Sequence, residues 1–135
     1  AKGYAVDEAM KVLKKGGFSR AMVVGGGEIA VGEAPPDTQG WKIALNGPGE
    51  TSRLQEEYLV LSHANVSTSG DASQFIEVDG VRYSHVLDPR TGQALTTRRQ
   101  VTVVAAEGMT ADSCASAIGV LGPGLAVDRL IAWGK

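Results

Sequence analysis

The residues whose types and spacing could do chemistry begin with His85, in the run Arg82-Tyr83-Ser84-His85-Val86-Leu87-Asp88-Pro89-Arg90-Thr91-Gly92. Val81 and Tyr83 alternate with His85 as in a strand. Asp88-Pro89 should end that strand, because proline fixes φ and has no N–H for a ladder. A histidine delivered at a strand end, facing hydroxyl, guanidinium and glycine, is a candidate acid or base beside a phosphate; a surface or packing histidine is the alternative. Asp112 and Ser116 form the second group. In a helix opening after Thr110, their i, i+4 spacing puts both on one face of the first turns. A carboxylate and a hydroxyl offered together are hard oxygen ligands suited to Mg²⁺ carrying phosphates. The alternative is a dipole-stabilising aspartate with a small packed serine.

Three further segments are polar, glycine-rich and bounded by strong secondary structure. Ala1, Lys2, Gly3 and Tyr4 stand immediately before a helix, whose free N–H groups would suit an anion unless the terminus is simply frayed. Gly25, Gly26, Gly27 and Glu28 follow a strand. Adjacent glycines let backbone approach a ligand, and Glu28 could accept from a hydroxyl or base N–H; a tight hairpin is the equal alternative. Thr68, Ser69, Gly70 and Asp71 are dense in hydroxyl and carboxylate groups and read as a turn. His63, at the end of a strand, has no evident ligand partner. Cys114 reads as a small buried hydrophobe, and a single cysteine gives no signal of redox compartment.

Several elements must position these groups. Ala5, Ala9, Met10 and Leu13 recur at helical spacing, with Asp7 and Glu8 early, Lys11, Lys14 and Lys15 late, and Gly16-Gly17 as the stop. Residues 21–24 read as a buried strand and 29–31 resume strand character. Trp41 to Leu45 alternate as a half-exposed strand, and residues 34–40 and 46–53 read as loops. Residues 58–61 form another strand. Residues 75–78 and 81–83 make a hairpin about Asp79-Gly80, the strongest such signal in the chain. Residues 101–105 are the last clear strand. Thr110 can N-cap a helix over 111–121 ended by Gly122-Pro123-Gly124, and residues 125–132 give a short third helix. Three helices and six or seven strands in hairpin order indicate α+β, with a largely antiparallel sheet and helices packed on one side.

The chain fits one domain of 135 residues. A net charge of −2 with scattered basic residues argues against a nucleic-acid surface. The longest apolar runs span only a few residues, so no signal peptide or transmembrane segment is expected within them. Ala1 without an initiator methionine, and an end just after an apolar segment, look like cuts in a longer polypeptide.

In this order the segments resemble the ApbE family, the FAD:protein FMN transferases. The matching strings are Ala-Lys-Gly-Tyr-Ala-Val-Asp (1–7), Val-Gly-Gly-Gly-Glu-Ile (24–29), Ser-Thr-Ser-Gly-Asp (67–71), Tyr-Ser-His-Val-Leu-Asp-Pro-Arg-Thr-Gly (83–92) and Ala-Asp-Ser-Cys-Ala-Ser-Ala (111–117). The resemblance covers essentially the whole chain, as a C-terminal portion of a T-fold-like ApbE architecture. It implies Mg²⁺-dependent transfer of FMN from FAD to a threonine or serine hydroxyl of a target flavoprotein, with release of AMP. It puts the base on His85 and metal ligands on Asp112, Ser116 (threonine in many members) and the carbonyl of Ala1. Flavin contacts fall on Ala1, Lys2, Gly3 and Tyr4 and near Leu87 and Thr91, with Gly26, Gly27, Glu28, Ser69 and Gly70 as weaker candidates. Some members carry a second aspartate where this chain has Ala115, which implies a metal site with one carboxylate fewer. The family's association with the bacterial cell envelope or periplasm implies that location, with membrane attachment only through an anchor outside these residues. Without the N-terminal region that grips FAD in the family, these residues alone are expected to bind FAD poorly and transfer nothing. An FAD pyrophosphatase giving FMN and AMP, and a non-catalytic flavin-binding module, are the other readings of the same site.

Overall fold

The computed structural model describes residues 1–45, 58–70 and 74–122. The expected loop at 46–53, Asp71 and the expected helix at 125–132 lie outside the described residues.

The first helix, α1, runs Lys2–Lys15 rather than starting at Ala5, so Lys2, Gly3 and Tyr4 form its first turn. Its buried stripe is Gly3, Val6 and Met10, at steps of three and four residues, and Ala5 is exposed. The stripe is rotated from the expected one because Gly3 meets a second helix. Gly16 and Gly17 stop α1, with Gly17 at φ 88° and the Phe18 N–H donating to Leu13 O at 2.9 Å.

The main sheet is antiparallel, in the order β1 (Met22–Gly25), β2 (Glu28–Val31), β5 (Ala64–Gly70), β10 (Gln100–Ala105). Between β2 and β5 lie β3 (Trp41–Ala44) and β4 (Tyr58–Leu61), paired with each other. Two small hairpins follow β5: β6 (Phe75–Val78) with β7 (Val81–Ser84), and β8 (Leu87–Asp88) with β9 (Gln93–Ala94). The second helix, α2 (Gly108–Leu121), closes the described fold. Among the described residues there are thus two helices and ten strands, and no helix long and apolar enough to cross a membrane.

Both helices lie on one side of the main sheet and on each other: α1 over β1 and β2, α2 over β5 and β10. The register identifies the covered face. Val23, Ala30, Asn65 and Ala105 line up across the four strands, and Val23 and Ala30 pack with Val6 and Met10. Two residues further on, Gly25, Glu28, Ser67 and Val103 make the next row of that face. The expected α+β class, with helices on one side of an antiparallel sheet, holds.

Some local expectations change. β1 is an edge strand rather than a buried one, and Val24 on its outer face is 65% exposed. Residues 68–70 do not turn; they complete β5 by pairing with β10, which supplies the ladder bonds that their weak strand propensity does not. α2 starts at Gly108, with Glu107 rather than Thr110 at the N-cap and no capping bond from its side chain. Cys114 is half-buried, not enclosed.

Candidate functional site

β7 ends at Ser84, one residue short of the expected strand-borne position, and His85 occupies the corner between the two small hairpins. Asp79 and Gly80 turn the first hairpin with φ of 51° and 76°, a conformation that suits Asp-Gly. The hairpins are stitched together by Ser84 N–H to Leu95 O at 2.8 Å and Leu95 N–H to Val86 O at 3.0 Å. His85 is held by the carbonyl of Gln74, which receives both its backbone N–H at 3.2 Å and its Nδ1 at 3.1 Å. A carbonyl can only accept, so Nδ1 carries the proton in that bond. In the neutral ring Nε2 then holds the lone pair, the arrangement a general base requires.

Asp88 acts differently from the expectation for this loop. Its carboxylate takes the Arg90 N–H and Nε at 2.9 Å each and Nη2 at 2.7 Å, so the guanidinium is occupied inside the turn. The Arg90 side-chain and backbone bonds hold the Asp88 pKa down at about 2. Thr91 Oγ1 accepts the Gln93 N–H at 3.3 Å. This loop is a self-contained turn.

At the other end, α1 and α2 meet at Gly3 and Gly108. A Cβ at Gly3 would lie 2.1 Å from Gly108 O, and one at Gly108 would lie 2.6 Å from Gly3 O, so only glycine permits this approach. Each helix carries a carboxylate that receives amide hydrogens from the start of the other. Asp112 Oδ2 accepts the Gly3 N–H at 3.0 Å and lies 3.3 Å from the Ala1 amino nitrogen. Asp7 accepts the Gly108 N–H at 2.8 Å and the Met109 N–H at 3.1 Å. Asp7 therefore serves the N-terminus of α2, not the first turn of its own helix as its sequence position suggests. Burial pushes the Asp112 pKa up, while the Gly3 N–H and the Lys2 charge pull it down.

Between these two walls lies an open cleft of about 580 Å³. Lys2, Glu28, Gln74, His85, Asp112 and Ser116 line it, together with Gly26, Gly27 and residues 67–70. The turn joining β1 to β2 has Gly26 at φ 59° and Gly27 at φ 96°, so the glycines make both a tight hairpin and a wall of the cleft. Lys2 Nζ crosses to this turn, donating to Gly26 O at 2.8 Å and lying 3.5 Å from Glu28 Oε1. The Glu28 side chain is only 2% exposed, and among the described residues its Oε2 has no hydrogen-bond partner. Burial raises its pKa and Asp112 adds to that, against the opposing pull of the Ser67 hydroxyl and Lys2.

The cleft brings together Lys2, Gly26, Gly27, Glu28, Ser69, Gly70, His85, Asp112 and Ser116 from the sequence candidates. Gly3 is consumed by the helix crossing, and Leu87 in β8 and Thr91 in the turn after it lie outside the lining. Tyr4 faces a separate hollow of about 250 Å³ that also holds His63 and Asn65. Ser67, Gln74 and Asp7 were missed as single residues. Ser67 could have been found from the register with Glu28, whereas Gln74 and Asp7 act through partners that no local pattern reveals.

The oxygen donors suit a hard divalent cation. Ala1, Asp112 and Ser116 line one shared hollow beside the cleft, offering a carbonyl, a carboxylate whose Oδ2 rather than Oδ1 takes the Gly3 N–H, and an exposed hydroxyl. Ala115, where a second carboxylate could stand, is fully buried. No cluster of three or more His, Cys, Asp or Glu occurs among the described residues, so Asp112 would be the main charged ligand.

Residues 1–131 match the model of the ApbE family. A curated Vibrio cholerae protein named FAD:protein FMN transferase is 38% identical over 123 residues, covering 90% of this chain and 37% of that protein. The chain thus spans little more than a third of that relative's length. Among solved structures, the apo flavinyl transferase ApbE of Pseudomonas stutzeri superposes with a TM-score of 0.77 at 37% identity, over 93% of this chain and 39% of that one. The flavin transferase ApbE of Vibrio cholerae gives 0.77 at 36% identity, over 93% and 40%. With the family model matched over nearly the whole of this chain, and with the same fold in these relatives, the chain belongs to the ApbE family.

Proposed function

We propose that this chain carries the phosphate-transfer half of an FAD:protein FMN transferase, acting with Mg²⁺ on a threonine or serine hydroxyl of a flavoprotein. The observation that carries this reading is the His85 Nδ1 bond to Gln74 O, which leaves the lone pair of the neutral ring on Nε2, in a residue lining a cleft with Asp112 and Ser116. The names of the relatives supply the flavin chemistry.

In this reading the FAD pyrophosphate lies in the cleft. The acceptor hydroxyl oxygen attacks the phosphorus on the FMN side, and its proton passes to His85 Nε2. The bond from that phosphorus to the bridging oxygen breaks, and AMP leaves with the bridging oxygen. Gln74 O keeps the imidazole oriented as it becomes doubly protonated. Backbone at Gly26 and Gly27 and the Lys2 ammonium border the phosphate-sized space without side-chain bulk. A cation on Ala1 O, Asp112 and Ser116 would neutralise charge on the phosphate oxygens.

The test uses the full-length polypeptide that contains these residues, FAD, Mg²⁺ and a flavoprotein carrying an acceptor threonine. Covalent flavin fluorescence on the acceptor is expected, absent with His85→Ala and after chelation. Free FMN and AMP with no labelled acceptor would instead assign a pyrophosphatase, and FAD binding without turnover a flavin-binding module.

A further inference from the structure

The two carboxylates at the helix crossing are exchanged: Asp112 of α2 receives the Gly3 amide of α1, and Asp7 of α1 receives the Gly108 and Met109 amides of α2. We infer that Asp7 is a positioning residue for the cleft, fixing the crossing that sets Asp112 and Ser116 beside Ala1 and Lys2.

Three observations carry this. α2 has no cap of its own, since Glu107 makes no side-chain bond there, and Asp7 supplies the missing acceptor from 101 residues away. The contact is rigid, because Gly3 and Gly108 leave no space between the backbones. The same few residues of α1 also hold the other side of the site: Lys2 reaches Gly26 O, and Gly3 N–H holds Asp112 Oδ2, leaving Oδ1 outside that bond. Without Asp7, the start of α2 loses both acceptors, and the helix can slide or fray against α1. Asp112, one turn along, moves with it.

A cap supplied locally separates positioning from mere stabilisation. Serine at position 107 can accept from the first amides of α2, so Glu107→Ser should restore the helix end without restoring its tie to α1. The inference rests on the proposed Mg²⁺ role of Asp112, so the experiment also reads the crossing without metal. In the full-length protein, Asp7→Ala and Asp7→Ala/Glu107→Ser are compared by thermal unfolding, by calorimetric titration with Mg²⁺ alone, and by hydrogen exchange at the Gly3 amide. The expected result is a recovered melting temperature in the double variant, with Mg²⁺ affinity still lowered by roughly 10- to 100-fold and the Gly3 amide still exchanging faster. Parental Mg²⁺ affinity and parental Gly3 protection in the double variant would overturn the inference. If the parent itself binds no Mg²⁺, the metal reading fails, and Gly3 exchange alone decides the role of Asp7: faster exchange upholds it and parental exchange overturns it.

Discussion

Gly3→Ala sets two physical effects of opposite sign against each other. Alanine in a helix is favoured over glycine by about 0.5–1 kcal/mol, so propensity alone makes the variant more stable. The structure says otherwise. The new methyl would sit 2.1 Å from Gly108 O, 2.5 Å from Gly108 C and 2.9 Å from Asp112 Cβ, and two of these atoms are backbone that cannot rotate away. Relieving the contact needs the helices to part by about 1 Å or more, an overpacking penalty of about 1–3 kcal/mol. That movement stretches the 3.0 Å bond from Gly3 N–H to the Asp112 carboxylate out of range, removing about 1.5–3 kcal/mol more. The net expectation is a loss of about 2–5 kcal/mol, read as a fall of roughly 10 °C or more in the midpoint of thermal unfolding followed by circular dichroism. Gly119→Ala is the internal control: a Cβ there meets nothing within 4 Å, so propensity acts unopposed and a slight rise is expected. A Gly3→Ala protein melting at or above the parent would refute the tight helix crossing, and with it the account of how Asp112 is held.

Two further outcomes follow from the carboxylates. For Glu28, burial raises the folded-state pKa, so the folded protein binds this proton more tightly than the unfolded chain, and stability falls as pH rises from the ordinary glutamate range through the raised value. Glu28→Gln should flatten that slope in denaturant titrations at stepped pH, and an unchanged slope would contradict the assignment. Asp88 has the opposite sign: with its pKa at about 2, its contribution is complete above the ordinary aspartate range and is lost as pH falls toward 2. A carboxyl NMR titration of Asp88 should show that low midpoint, and Arg90→Ala should return it toward 3.8.

Legibility in the sequence followed the range of the interaction. Asp79-Gly80 and Gly16-Gly17 act on their immediate neighbours, and both turned the chain where expected. The 3.6-residue period found α1 but misplaced its start and its buried face, because the deciding contact is with Gly108 at the far end of the chain. Thr68, Ser69 and Gly70 look like a turn by composition and are a strand because β10 pairs with them. The site showed the same division. His85, Asp112, Ser116 and the glycine stretch were readable as chemistry, while Gln74, which sets the tautomer of His85, and Asp7, which anchors α2, are ordinary residues given their roles by partners distant in sequence.

The central strand β5 has a consequence for the order in which the molecule assembles. The small hairpins close over a few residues, but β5 must find β2 across more than thirty residues and β10 across a similar span, and α1 must find α2 across about a hundred. Local closures form in microseconds, whereas such distant pairings carry the larger chain-entropy cost and set the overall rate. A chain caught midway would therefore already present the His85 corner, with neither the β5 wall nor the paired helices opposite it. Reactivity would arrive only with the last long-range contacts, so a half-made molecule holds its base but has nowhere to seat a phosphate.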